Sequence, residues 1–194
     1  MIDVVEYGAG NTGSILRCLD RLEMNYQRVH GLHLPSGDNP ILFPGVGAFG
    51  AAMANLTQSA LAERLRCLLK TGTPYLGICI GLQVLFEQSE EAPDIAGLCV
   101  LSGQVVRFQN GKVPQIGWNW IKPTQPGWEA GYVYFVNSYY PKPDDPDSCL
   151  YKADYHGTFS AAVQTGNITA FQFHPEKSGA FGQTLLRRWL TRHG

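Results

Sequence analysis

The chain has no CxxC pair, no apolar stretch near the roughly 20 residues a membrane span needs, and no excess of either charge. Each absence excludes a class of function. Lys and Arg total 15 against 16 Asp and Glu, and a net charge of −1 gives no electrostatic reason to expect nucleic acid or an anionic membrane as partner. The opening "MIDVVEYGAGNTG" lacks the basic segment and long apolar core of a secretory signal. Five cysteines (Cys18, Cys67, Cys79, Cys99, Cys149) are odd in number and widely scattered. That argues against a zinc site or redox dithiol and for reduced thiols in a cytoplasm. Histidine is scarce as well: His30, His33, His156, His174 and His193 are the whole supply.

What is present is alternation. Short apolar runs take turns with amphipathic stretches, as in βα units. "IDVVEY", "YQRVH", "ILFPG" and "PYLGI" read as strands, with "GAGN" a tight turn after the first. "TGSILRCLDRLEM", "AFGAAMANL" and "SALAERLRCLLKTG" read as helices, the last closed by Gly72 as C-terminal cap. After residue 98 the style changes. "CVLSGQVVRF", "KVPQIGWNWI", "YVYFVNSYY" and "TFSAAVQTGNITAFQF" are rich in β-branched and aromatic residues, which predicts longer, partly antiparallel strands added to a parallel core. "PKPDDPDS" (141–148) reads as a polar loop and "GAFGQTLLRRWLTRH" as a closing helix. The expectation is one α/β domain over residues 1–194, a mixed central sheet flanked by helices.

One thiol stands out. In "TPYLGICIGLQVLF" (73–86), Cys79 ends a buried strand between Gly77 and Gly81, the G-x-nucleophile-x-G form of a nucleophile elbow. Such a turn projects the nucleophile from the top of the sheet, and its flanking glycines leave room where a Cβ would crowd. The start of the following helix offers unpaired N–H groups that favour a thiolate and can cradle an oxyanion. Gln83, four residues on, shares the helix face of Cys79. Taken alone, GICIG fits a packing cysteine in a glycine-requiring turn equally well.

A thiol nucleophile needs a base. Only His174 stands on a strong apolar strand, "AFQFHPE". There Phe171 and Phe173 alternate with Gln172 and His174, so the histidine faces away from the phenylalanines. Pro175 keeps His174 out of the helical region. If the run stays extended, Glu176 points to the same side and can orient the imidazole as a triad's third member does. The same pair could ligate a metal, but no third ligand is apparent.

GICIGLQ and FQFHPEKS together resemble the triad (class I) glutamine amidotransferases. "YGAGN" (7–11), "LFPGVGAF" (42–49), "SEEAP" (89–93), "KVPQIGWN" (112–119), "YFVNSYY" (134–140) and "FHPEKSGAFG" (173–182) carry the resemblance from end to end. They point to members that are separate glutaminase subunits of histidine biosynthesis, with PGVG where other triad glutaminases carry PGG. The resemblance implies a flavodoxin-like fold, no cofactor, and glutamine as substrate. It implies Cys79 as nucleophile with His174 and Glu176; backbone around Val46, Gly47 and Ile80 as oxyanion hole; and Gln83, Ser138 and Tyr139 as glutamine contacts. It also implies a (β/α)8 cyclase subunit as partner, taking up the ammonia, with Asn11, Trp118, Tyr134 and Lys177 near the docking face. Asn137 and Gln115 depart from the pattern: many members have histidine at the first and often at the second. Paralogous subunits feeding surface-sugar synthesis share these motifs. A stand-alone thiol hydrolase of γ-glutamyl compounds would use the same elbow and histidine. A non-catalytic module would usually have lost Cys, His or Glu, and all three are present.

Overall fold

The computed structural model describes residues 1–8 and 12–194; the expected turn at 8–11 and Asn11 fall largely outside them. The chain begins with β1 (Ile2–Val5), α1 (Gly13–Arg21), β2 (Tyr26–Val29), β3 (Ile41–Gly45), α2 (Phe49–Gln58), α3 (Leu61–Lys70), β4 (Tyr75–Cys79) and the short α4 (Ile80–Gln83). It continues with β5 (Gln88–Ser89), β6 (Gly103–Arg107), β7 (Gln115–Pro123), β8 (Gly131–Asn137), β9 (Tyr139–Pro143), β10 (Cys149–Asp154), β11 (Thr158–Thr165), β12 (Ile168–Phe171) and α5 (Gly179–His193).

Nine strands form one mixed sheet in the order β2-β1-β3-β4-β12-β11-β10-β7-β8, and β5, β6 and β9 form a small second sheet. Neighbours from β2 to β12 are parallel; from β12 to β8 each pair is antiparallel. Alternation along the strands divides the core in two. Ile2, Val4, Leu42, Leu76 and Ile78 point to the face covered by Leu16 and Leu19 of α1 and Leu186 and Leu190 of α5. Val5, Ile41, Phe43 and Tyr75 point to the face covered by Phe49, Met53 and Leu56 of α2 and Leu65 and Leu69 of α3. This is the α/β class expected, with helices on both faces of a mixed sheet.

Gly72 closes α3 as its sequence predicts. With φ at +96° it lets the Gly72 N–H reach the Leu69 carbonyl and the Thr73 N–H reach the Leu68 carbonyl, the paired bonds of a Schellman motif.

Three expectations need correction. "YVYFVNSYY" is two strands, β8 and β9, in different sheets; the corner is bridged by Asn137 Nδ2 donating to the Tyr139 carbonyl at 2.9 Å. "PKPDDPDS" is not wholly a loop: Pro141–Pro143 complete β9, an edge strand of its three-stranded sheet, where a proline's missing N–H costs little. The extended run after β12 does not reach Glu176. The strand ends at Phe171, and Pro175–Lys177 form a 3₁₀ turn, because the fixed φ of a proline suits a first helical position. β10 carries no signal that separates it from a loop in the sequence, and it is held between β7 and β11 by pairing alone.

Candidate active site

β4 is buried along its whole length between β3 and β12. Parallel strands put their C-terminal ends at one edge of the sheet, where ligands of open α/β folds bind. In register, Gly45 lies beside Cys79 and Phe171 beside Ile78. The segments that follow β3 and β12, Val46–Gly47 and Gln172–His174, therefore flank the thiol on either side.

Cys79 has φ +54° and ψ −105°, a conformation that non-glycine residues rarely adopt and that costs energy wherever it is held. Close packing holds it. A Cβ on Gly77 would lie 2.5 Å from the Gly81 carbonyl oxygen, and one on Gly81 would lie 2.0 Å from that of Phe43. Both neighbours are backbone and cannot swing aside, so the two glycines permit the elbow to press against β3. Tyr75 Oη donates to the Gly81 carbonyl at 2.6 Å, fixing the far side of the turn. Ile80 opens α4, and its N–H is among the first-turn donors that a helix leaves without an intrahelical partner.

On the β12 side, His174 Nδ1 and Glu176 Oε1 are 2.9 Å apart, both groups nearly inaccessible to water. The 3₁₀ turn folds Glu176 back onto the ring, so the pair forms by a route different from the extended one expected. His174 Nε2 is buried and without a hydrogen-bond partner among the described residues. Burial alone would lower the affinity of this imidazole for its proton. The neighbouring sulfur of Cys79, then the carboxylate of Glu176, outweigh burial and raise the pKa to about 10. The ring thus lies between the Cys79 sulfur and the Glu176 carboxylate, and both favour its protonated form.

A pocket of about 270 Å³ opens in front of Cys79, and Val46, Gly47, Gln83, Glu91, Ser138 and Tyr139 are among the residues that line it. Val46, Gly47, Gln83, Ser138 and Tyr139, singled out in the sequence, therefore share one wall system with the thiol. Gln83 Nε2 donates to Gln172 Oε1 at 3.0 Å and lies 3.3 Å from the Tyr139 carbonyl; Gln172 Nε2 lies 3.6 Å from Cys79 Sγ. Tyr7 Oη donates to the Val46 carbonyl at 3.0 Å, and burial, then the charge of Cys79, push its phenol up to about 12. Trp118 and Lys177 are exposed, and Tyr134 is half-buried, on the β7–β8 side of the molecule.

The sequence reading passed over Gln172, Tyr7 and Glu91. Gln172 could have been found from the alternation that placed it beside His174. Tyr7 and Glu91 lie within the quoted runs YGAGN and SEEAP, but neither run assigns them to the site, since their positions depend on β1 and the segment after β5 returning to the same strand ends. The other four histidines are elsewhere: His30 and His33 bridge one another, His156 sits in the β10–β11 turn, and His193 packs on Trp189.

The sequence pattern described as Glutamine amidotransferase class-I matches residues 3–192, and the chain belongs to that family. Within it, the chain is 40% identical to the imidazole glycerol phosphate synthase subunit HisH of Geobacillus thermodenitrificans (strain NG80-2), over 98% of this chain and 95% of that one. It is 39% identical to the subunit of the same name from Methanothermobacter thermautotrophicus, over 98% of each. Among solved structures, one described as a glutamine amidotransferase superposes with a TM-score of 0.80 at 20% identity, over 98% of both chains. PurLQS from Thermotoga maritima superposes at 0.77 and 17% identity, over 98% of this chain and 97% of that one. Those two likenesses concern the fold.

Proposed function

We propose that the chain is the glutaminase subunit of an imidazole glycerol phosphate synthase, with Cys79, His174 and Glu176 as its catalytic triad. The observation that carries this reading is the strained elbow at Cys79 beside a buried His174–Glu176 pair, in a chain 40% identical to HisH subunits.

The residues suggest a consistent sequence of steps. The Cys79 thiolate attacks the side-chain carbonyl carbon of glutamine, forming a carbon–sulfur bond and a tetrahedral oxyanion. The Ile80 N–H at the start of α4 and the backbone of Val46–Gly47 in the pocket wall receive that charge. As the intermediate collapses, the carbon–nitrogen bond breaks and His174 gives its proton to the departing nitrogen, releasing ammonia. Water then attacks the thioester, His174 takes up its proton, and glutamate leaves with the thiolate restored. Glu176 keeps Nδ1 engaged so that Nε2 serves the sulfur and the leaving group. Gln83, Ser138 and Tyr139 contact the bound glutamine.

Ammonia in water at neutral pH is mostly protonated and then is no nucleophile, so a glutaminase of this kind needs a recipient close by. The proposed recipient is a (β/α)8 cyclase subunit that makes imidazole glycerol phosphate and an aminoimidazole carboxamide ribonucleotide. The exposed face of the β7–β8 ribbon suits a protein partner. Ile116 and Val136, Trp118 and Tyr134, and Trp120 and Tyr132 stand directly opposite one another, and all but half-buried Tyr134 are exposed. Monomeric proteins seldom leave such an apolar ladder in water. Lys177 lies in the turn beside it.

The test is glutamate release by the protein with and without the cyclase and its ribonucleotide substrate. Strong stimulation supports the reading; equal rates would favour a stand-alone thiol hydrolase.

A further inference from the structure

β8 is an edge strand of the large sheet, and one residue of it makes two hydrogen bonds to the His174 turn. In an antiparallel ladder a residue turns both backbone groups toward its partner strand or both away. Tyr134 turns both away from β7. Its carbonyl accepts from the His174 N–H at 2.9 Å, and its N–H donates to Ser178 Oγ at 2.9 Å. Ser178 Oγ in turn donates to the His174 carbonyl at 2.6 Å. The three bonds close a ring through Tyr134, His174 and Ser178. Ser178 is 2% exposed, and its hydroxyl is the one side-chain group in that ring.

The ring lies between two different surfaces. On one side is His174 with its bond to Glu176. On the other is the Tyr134 side chain, paired edge-to-face with Trp118 at 6.0 Å between ring centroids. Trp118 also overlies Gly179, where a Cβ would meet its indole at 3.9 Å. Behind the turn the packing is unyielding, since a Cβ on Gly182 would lie 2.2 Å from the Pro175 carbonyl oxygen. A displacement of β8 at Tyr134 thus reaches the His174–Ser178 turn through two hydrogen bonds, with α5 packed closely behind it.

We propose that Ser178 is a positioning residue that locks the His174 turn to Tyr134, so that a protein docking on the Trp118–Tyr134 face sets the position of the catalytic imidazole through this lock. The docking half of the inference rests on the function proposed above; the positioning half does not. Ser178 is not among the residues that line the pocket in front of Cys79. It acts on His174 by holding the carbonyl of that residue and the strand edge against which its N–H is bonded.

The test uses Ser178→Ala and Ser178→Cys, the latter filling the space with a weak hydrogen-bonding group, and Ser148→Ala as a control. Ser148 is a second buried serine whose hydroxyl caps a turn away from the site. Two measurements are made on each: glutaminase kcat and KM in complex with the cyclase, and the alkylation rate of Cys79 by iodoacetamide in the isolated chain, resolved from the other cysteines by peptide mass. For Ser178→Ala we expect kcat to fall about tenfold or more with KM for glutamine within about twofold, and Cys79 alkylation to slow severalfold. Ser178→Cys should fall between, and Ser148→Ala should match the unaltered chain in both. Unchanged alkylation and kcat in Ser178→Ala would overturn the proposal. So would an equal effect from Ser148→Ala, or a loss confined to KM. If alkylation slows as expected but the cyclase fails to stimulate the unaltered chain, the lock stands and the assignment of the cyclase as partner fails.

Discussion

From β1 through β3 and β4 to β12, the parallel strands are buried at every residue, covered by helices on both faces. At the other end of the same sheet, β7 and β8 alternate, with Gln115, Ile121, Val133, Phe135 and Asn137 inward and Ile116, Trp118, Trp120, Tyr132 and Val136 outward. Parallel ladders built from βαβ crossovers must be covered twice; antiparallel ones can leave a face free. The parallel half is therefore rigid and dry, suited to holding a strained Cys79. The antiparallel half keeps an apolar face open and holds the histidine turn from its edge. The proposed nucleophile ends β4 and the proposed base follows β12, both of the parallel half, and the base is braced from β8 of the other, across the boundary where pairing changes direction.

The comparison breaks most sharply at the thiol. Cys79→Ala should lower glutamine-dependent turnover by about 10⁴-fold or more, while synthesis from added ammonia in the complex continues. A retained glutamine-dependent rate would remove Cys79 from its role. Next comes rigidity. Gly81→Ala forces a methyl group to 2.0 Å from the Phe43 carbonyl oxygen, so urea denaturation should show a loss of about 3 kcal/mol or more. Gly166, in the β11–β12 hairpin, also has positive φ (+53°), but nothing lies within 4 Å of its Cβ position. Gly166→Ala should cost only about 1–2 kcal/mol, the ordinary price of a left-handed conformation.

Glu176→Gln tests the link between the halves. It leaves the turn's backbone bonds in place but removes a charge that favours the imidazolium, and kcat should fall by about 10²-fold. The pH dependence of stability follows from His174, whose proton is favoured by Cys79 and, after it, by Glu176. A histidine whose pKa rises on folding, here from 6.5 to about 10, contributes stability that is fully present below 6.5 and fades as pH rises through about 10. The urea midpoint of the unaltered chain should therefore drop over that window. In Glu176→Gln the drop should be shallower and complete at lower pH; an identical profile would show that Glu176 does not hold the proton on His174.

Most of the parallel half was legible in the sequence because its information is local: short apolar runs, helical spacing, a glycine C-cap, and GICIG at the end of a strand. His174 was legible too, since five histidines left few choices and alternation in "AFQF" set its side. Its approach to Glu176 was read as strand geometry, whereas Pro175 starts a 3₁₀ turn. The antiparallel half was less legible. β10 and the corner at Ser138 depend on pairing partners distant in the chain, and no short window distinguishes "SCLYKAD" from a loop. Tyr7 was missed for the same reason, its contact with Val46 being fixed by tertiary packing, whereas Gln172 was within reach of the alternation that placed it beside His174.

Trp118→Ala isolates the open face. Trp118 is 57% exposed, so its removal should change stability by no more than about 0.5 kcal/mol while lowering stimulation by the cyclase and weakening the complex. Loss of stability with intact stimulation would mean that the ladder serves the fold alone.

The smallest effect is expected where the two halves meet the pocket. Asn137 is 5% exposed, faces Gln115 across the β7–β8 ladder, and spends Nδ2 on the Tyr139 carbonyl. Its Oδ1 and the Oε1 of Gln115 are buried without partners among the described residues. Asn137→His can keep a ring N–H on the Tyr139 carbonyl, so the corner that presents Ser138 and Tyr139 to the pocket should survive. The unpartnered oxygen would be lost, and an ordinary hydrogen bond is worth about 1 kcal/mol, or about fivefold. If Oδ1 serves bound glutamine, KM should rise by about that factor with kcat little changed. If it serves only the empty site, removing an unsatisfied acceptor should raise the urea midpoint and leave both kinetic constants where they were. A collapse of kcat would instead mean that the corner itself had moved, and that the antiparallel half shapes the pocket more directly than its backbone bonds imply.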